Sequence, residues 1–272
     1  MNIGVAGTGR GCAAVAVVAA LAIGGCGSDG GQTSSTSPES RPESTSTTQP
    51  MTFAEAVRAR LTKELGDRDV ATAVVDQLGP DALASLEVKS GGDAAGTPLL
   101  RYRPPTRVPE QLDGLVIFAF GNRVAADGTA TPGPVNEAMA DAVATFVADH
   151  PMPVYAQWEV GDLLTARSVP GVVSIRPQTG PDGTEVYLST AGVAEQVVAA
   201  APAGEGRGRV GVVCFRDHAV RCLQTAAAAG MEDPAVPKGL RLPADYDAES
   251  GQSWTRDRMS YIVTDLTARL AS

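Results

Sequence analysis

Apolar residues fall along the chain in three regimes. Cys12 to Gly25 is apolar or Gly throughout, residues 27–50 hold no aliphatic or aromatic side chain, and from Met51 the apolar positions become periodic. Phe53, Val57, Leu61 and Leu65 recur every four residues, and Val70, Val74, Val75 and Leu78 follow them. This spacing predicts two or three short helices over 52–88, with the second stripe closed by Gly79-Pro80. Residues 89–111 are rich in Gly and Pro and read as a connector.

From Leu112 strand and helix patterns alternate. Leu115 to Phe120 is a continuous apolar run, as a buried parallel strand requires. Residues 133–149 carry a helical stripe through Val135, Met139, Val143 and Phe146. Pro153 to Gln157 and Val172 to Ile175 read as the second and third strands, with a helical piece from Val160 between them. A helix over about 190–201, a fourth strand at Val210 to Phe215 and a helix from Asp217 to Gly230 come next. A Pro-rich loop is expected over 232–252 and a last helix over about 254–270. The alternation predicts an α/β fold: a parallel sheet of four to five strands with helices on both faces, plus a small N-terminal helical extension. The expected division is 1–25, 26–50, 51–111 (helical extension and connector) and 112–272 (sheet domain).

Composition narrows the function classes. The chain has 272 residues and a formal charge of −9, and it is 43% hydrophobic but only 4% aromatic. Its core must be built from Ala, Val and Leu. The acidic balance argues against nonspecific nucleic-acid binding, which needs Lys and Arg against phosphates. Two His and four Cys supply no zinc-finger or multi-His pattern, so no metal is expected, and no cofactor is identified.

The first two regimes read as an address and a tether. Arg10 precedes an apolar stretch of signal-peptide length, too short for a bilayer core of ~30 Å. The stretch ends in Ile23-Gly24-Gly25-Cys26, which resembles a bacterial lipobox. That resemblance implies diacylglyceryl attachment at Cys26, cleavage before it, and a lipid-anchored protein on the outer face of the cell membrane. Half of residues 27–50 (12 of 24) are Ser or Thr, a composition that cannot bury enough surface to order itself. Gly4 to Gly11 mimics a dinucleotide-binding loop, but Cys12 stands where the third Gly belongs and the stretch falls inside the signal peptide.

In parallel α/β sheets ligands bind beyond the carboxyl ends of the strands. Four clusters fall there: Gly121-Asn122, Gln157-Trp158-Glu159, Tyr187 to Thr190, and Arg216 to Cys222. His218 and Arg221 are three apart on one helical face, in a first turn that favours anions. Ser189 and Thr190 open another helix, and Glu159 is a candidate base or hydroxyl-binding group. Plainer roles stay open: an N-cap for Ser189 or Thr190 and for Asp217, a pairing of His218 with Asp217 or Glu159, a surface ion pair for Arg221, and a left-handed turn at Asn122. Cys214 and Cys222 are either a disulfide or two buried small side chains. No standard catalytic set occurs; Gly251 to Thr255 begins like a nucleophile elbow and fails at its fifth position.

The strand-Gly loop, Ser189-Thr190 at a helix start, and a Val-rich strand followed by His218 and Arg221 together resemble the SanA/YdcF/ElyC-like family over roughly 112–270. The resemblance implies a Rossmann-like fold, a role in envelope maintenance, and a nucleotide-like ligand near Gly121, Asn122, Glu159, Ser189, Thr190, His218 and Arg221. The chain departs from the family pattern at Gln157-Trp158, where a Gly pair is usual, and at Arg176-Pro177, where an acid is usual. Three functions follow as expectations. The first is binding of a small anionic, nucleotide- or sugar-phosphate-like ligand. The second is a hydrolase or transferase on an envelope precursor, with His218 as acid/base and Glu159 as partner. The third is a non-catalytic interaction module.

Overall fold

The computed structural model describes residues 50–180, 185–201 and 208–271. The chain divides into two units, and only the second, Gln49–Ser272, contains described residues. The segments read as a signal peptide and tether, with Cys26 between them, lie outside the described residues through Gln49.

Helices α1 (Phe53–Leu65) and α2 (Arg68–Ser90) open the fold. Thr52 starts α1 with a capping box: its hydroxyl accepts from Glu55 N, and the Glu55 carboxylate accepts from Thr52 N at 2.7 Å. Within α2 the helical geometry is interrupted at Gly79 (φ 72°, ψ 176°) before Pro80 and then resumes to Ser90, so the Gly-Pro pair closes the stripe of Val70 to Leu78 as expected and a further helical stretch follows the kink. Strands β1 (Thr106–Arg107) and β2 (Gly114–Ile117) follow, then a small hairpin of β3 (Arg123–Val124) and β4 (Ala130–Thr131). Next come α3 (Pro134–Asp149), β5 (Val154–Gln157), α4 (Trp158–Ala166) and β6 (Val172–Ile175). A second small hairpin, β7 (Gln178–Thr179) and β8 (Glu185–Val186), leads to α5 (Thr190–Ala200). The chain ends with β9 (Arg209–Val213), α6 (Ala219–Ala228), β10 (Glu232–Pro237) and α7 (Arg258–Ala271).

The main sheet is parallel and has six strands in the order β1-β10-β9-β2-β5-β6. The fold is α/β and Rossmann-like, as the alternating pattern predicted. The count of four to five strands is corrected to six. The segment read as a Pro-rich loop begins with β10, an inner strand carrying Pro234 and Pro237. Proline lacks the N–H a ladder needs, so it argues against an inner strand. The chain accommodates Pro234 at an irregularity between Glu232 and Ala235, where Asp233 takes φ 42°. The other missed strand, β1, is a two-residue edge.

Side chains of β2 alternate between two cores. Leu115 and Ile117 pack with α3, α4, α7 and the helical extension; Val116 and Phe118 pack with α5 and α6. The extension thus shares one core with the sheet. Arg258 of α7 fastens it further, donating from Nη2 to Leu65 O at 2.8 Å. Among the described residues no helix is long and apolar enough to cross a membrane.

From β2 the chain moves outward through β5 and β6, then returns to β9 on the other flank of β2. The β2/β9 boundary is therefore the topological switch point, where strand ends splay and leave a crevice.

Candidate functional site

A cavity of about 330 Å³ lies at that switch point. Gly121, Ser189, Thr190, His218 and Arg221 all line it. The strand-end clusters separated by nearly a hundred residues thus meet at one edge of the sheet. Asn122 is not among the lining residues.

The β2 end is held by buried amides. Asn136, at the start of α3 and fully buried, accepts from Phe120 N at 3.0 Å and donates to Gly121 O at 2.8 Å. Gln157 accepts from Ala119 N at 3.1 Å. The left-handed residue of this loop is Gly121 (φ 66°), not Asn122. A Cβ on Gly121 would stand 2.8 Å from Ser250 Oγ and 3.0 Å from Thr255 Oγ1. Asn122 instead offers its carbonyl to Gly251 N at 2.7 Å, which latches the 250–255 segment onto the loop.

His218 is buried, and its two ring nitrogens have different partners. Nδ1 lies 2.7 Å from the Tyr261 hydroxyl and 3.2 Å from Arg221 Nε, which donates to it. A guanidinium N–H only donates, so Nδ1 is an acceptor and the ring hydrogen sits on Nε2. Nε2 is 3.5 Å from Thr190 Oγ1 in the cavity wall. Burial, reinforced by Arg221 and Arg269, pushes the His218 pKa well below the ordinary value and keeps the ring neutral. His218 therefore presents a proton to the cavity and no free lone pair. The pairing of His218 with Asp217 or Glu159 is replaced by this arrangement, and of the acid/base role expected for it the acceptor half has no free lone pair facing the cavity.

Arg221 is not a surface ion pair. Its Nε also lies 3.2 Å from the buried carboxylate of Asp265, which Arg269 Nη2 meets at 2.6 Å and the Tyr102 hydroxyl at 3.0 Å. Two guanidiniums share one carboxylate, so the cluster carries net positive charge. Arg221 lines the cavity, its Nε lies against His218 and Asp265, and its side chain stays about a third exposed (35%).

Glu159 is wholly buried one layer behind the cavity. Its Oε1 accepts from the Tyr187 hydroxyl at 2.7 Å, and Gln157 Nε2 donates to that same hydroxyl at 3.1 Å. Oε2 has no hydrogen-bond partner among the described residues. The position, second in α4, favours the anion, and the Tyr187 bond does too. Burial outweighs both and raises the carboxyl pKa to about 7. Glu159 communicates with the cavity only through Tyr187, which lines it.

The remaining candidates take structural roles. Ser189 is the N-cap of α5, its Oγ accepting from Gly192 N at 3.1 Å. Asp217 caps nothing: Arg216, Arg258 and Tyr246 all donate to its carboxylate, with Arg258 Nε at 2.8 Å. Cys214 and Cys222 are free thiols buried under α6, and the disulfide reading is not what the structure contains. Burial and the neighbouring Cys214 push the Cys222 thiol pKa well up, so it stays protonated. Among the described residues no group of three or more His, Cys, Asp or Glu is placed to hold a metal ion.

Sequence reasoning missed Asn136, Tyr261 and Asp265. A signal existed for two of them: Tyr261, Asp265 and Arg269 recur every four residues, a polar line beside the apolar one of Ile262 and Leu266.

No protein-family model, curated protein or solved structure matches this chain.

Proposed function

We propose that the domain binds a small anionic ligand, nucleotide- or sugar-phosphate-like, in the switch-point cavity. The observation that carries this reading is Arg221, which lines the cavity, is held at Nε by His218 and Asp265, and keeps about a third of its side chain exposed. His218 Nε2–H and the Thr190 hydroxyl stand beside it as further donors. Positive charge at a crevice with oriented N–H groups attracts anions. The proposal extends to the setting: a lipoprotein anchored through Cys26 on the outer face of the membrane, of the SanA/YdcF kind, serving envelope maintenance. Titration of the purified protein with inorganic phosphate and phosphorylated ligands tests the site. Arg221→Ala abolishes binding if the proposal is right, and unchanged affinity rules it out. Detergent phase partition tests the anchor, since Cys26→Ala moves a lipoprotein into the aqueous phase.

One observation favours a catalytic variant of this reading. Tyr187 joins the cavity to a carboxyl that titrates near neutrality, a pairing suited to moving a proton during hydrolysis or transfer on an envelope precursor. Turnover lost in Glu159→Gln with binding retained supports it; no turnover in the wild type leaves a binding protein.

A further inference from the structure

Six large hydrophobic side chains are exposed among the described residues: Met51, Val88, Val124, Val173, Tyr187 and Trp254. The two aromatic ones, Tyr187 (42% exposed) and Trp254 (45%), both line the switch-point cavity. They come from different parts of the chain. Tyr187 precedes α5, and Trp254 sits in the short turn Ser253–Thr255 that is latched to Asn122 through Gly251. In a chain that is only 4% aromatic, the two most exposed aromatic side chains among the described residues meet at one cavity, Tyr187 with its hydroxyl tied inward to Glu159 and Gln157.

Three of the polar side chains around them are already engaged. Gln157 uses both ends of its amide on Ala119 N and Tyr187. Ser189 caps α5, and Thr255 Oγ1 bonds Ser250 and the Gln252 carbonyl. A polyol needs a partner for each hydroxyl, because a buried unmet hydroxyl loses more than a made bond returns. Here Gln157, Ser189 and Thr255 are already engaged, and Thr190, His218 and Arg221 are assigned to the anion, which leaves Gln252 and Thr264 of the polar lining. A planar aromatic ring asks for faces instead, and stacking on Trp or Tyr is tolerant of ring identity.

We infer that Trp254 and Tyr187 form a stacking mouth, and that the ligand of this cavity is an aromatic ring carrying a phosphate or carboxylate, not a sugar phosphate. The inference rests on the anion-binding reading above and narrows it. A volume of about 330 Å³ lies at the small end of ligand sites and suits a monophosphate of one ring system, not a dinucleotide.

The test is a titration of the purified full chain with phenyl phosphate, adenosine and uridine monophosphates, N-acetylglucosamine 1-phosphate and inorganic phosphate. Trp254 fluorescence is read in a Trp158→Phe background, and calorimetry is run in parallel. The ring-bearing phosphates are expected to bind at least tenfold more tightly than the sugar phosphate. Trp254→Ala is expected to erase that advantage while inorganic phosphate still binds, and Trp254→Phe to keep most of it. Equal affinities for ring and sugar phosphates, or indifference to Trp254→Ala, overturn the stacking mouth and leave the anion site standing. If no phosphate binds and Arg221→Ala changes nothing, both readings fall.

Discussion

Arg221 donates from Nε to Nδ1 of His218 across 3.2 Å. That contact fixes the histidine tautomer. The first prediction concerns its titration. The folded-state pKa of His218 is depressed by burial and by the two arginines. The unfolded chain therefore takes up this proton before the folded one does. The stability is present above the unfolded value near 6.5 and is lost as pH falls through the depressed folded value. With only two histidines in the chain, ring-nitrogen NMR of a His150→Gln variant isolates the signal. A neutral ring protonated on Nε2 is expected at pH 6. A doubly protonated ring at that pH would refute the assignment.

Glu159 works in the opposite sense. Its carboxyl is raised from 4.5 to about 7, so the folded state holds the proton more tightly than the unfolded one. The resulting stability is full below about pH 4.5 and gone above pH 7. Glu159→Gln replaces the group with a permanently neutral amide that still accepts from Tyr187. The variant is expected to match the wild type near pH 4.5 and to be more stable at pH 8, by on the order of 3 kcal/mol at most. Urea denaturation at the two pH values reads the difference, and equal stabilities at pH 8 would contradict the burial argument.

Gly121 tests the loop that ends β2. At φ 66° a side chain is strained, and a new Cβ also meets Ser250 Oγ at 2.8 Å. Gly121→Ala is expected to cost about 1–3 kcal/mol. Adding Ser250→Ala relieves the clash but not the dihedral strain, so the double variant should recover part of the loss. Thermal unfolding of the four-member cycle measures this coupling, and strict additivity would mean that the 250–255 latch yields without strain.

These residues mark how far the sequence could be read. The strands at Leu115 and Val210 were legible because their apolar runs are uninterrupted, and the rule about strand ends brought Gly121, Thr190, His218 and Arg221 to one edge. β10 was hidden by Pro234, which only an irregular ladder can hold. Asp217 looked like a cap because its neighbours are visible locally, whereas its partner Arg258 arrives from 41 residues away. Asn136 went unremarked beside the apolar stripe of α3; only the approach of Phe120 and Gly121 shows why an amide belongs there. The surroundings of the His218 ring come from three helices, Thr190 of α5, Arg221 of α6 and Tyr261 of α7, which no local pattern encodes.

Asp265 carries the heaviest structural burden near the site. Its carboxylate stands 2.6 Å from Arg269 Nη2 and 3.2 Å from Arg221 Nε, and it accepts from Tyr102 at 3.0 Å. The carboxylate and Arg269 lie out of water and Arg221 is two-thirds covered, so two guanidiniums without their counter-charge are poorly tolerated there. Asp265→Asn preserves shape and removes the charge. The expected cost is about 3–5 kcal/mol at pH 7, as for other broken buried pairs. Arg221 also loses its rear anchor, so phosphate affinity should fall in the same variant even under conditions where it remains folded. The control is Arg176→Gln, which breaks the exposed pair with Asp162 and is expected to cost no more than about 1 kcal/mol. Denaturant midpoints for both variants at low and high salt decide the matter. A buried cluster gives a large loss that salt does not change, whereas a loss as small as the control's would show that Asp265 is not the anchor of Arg221.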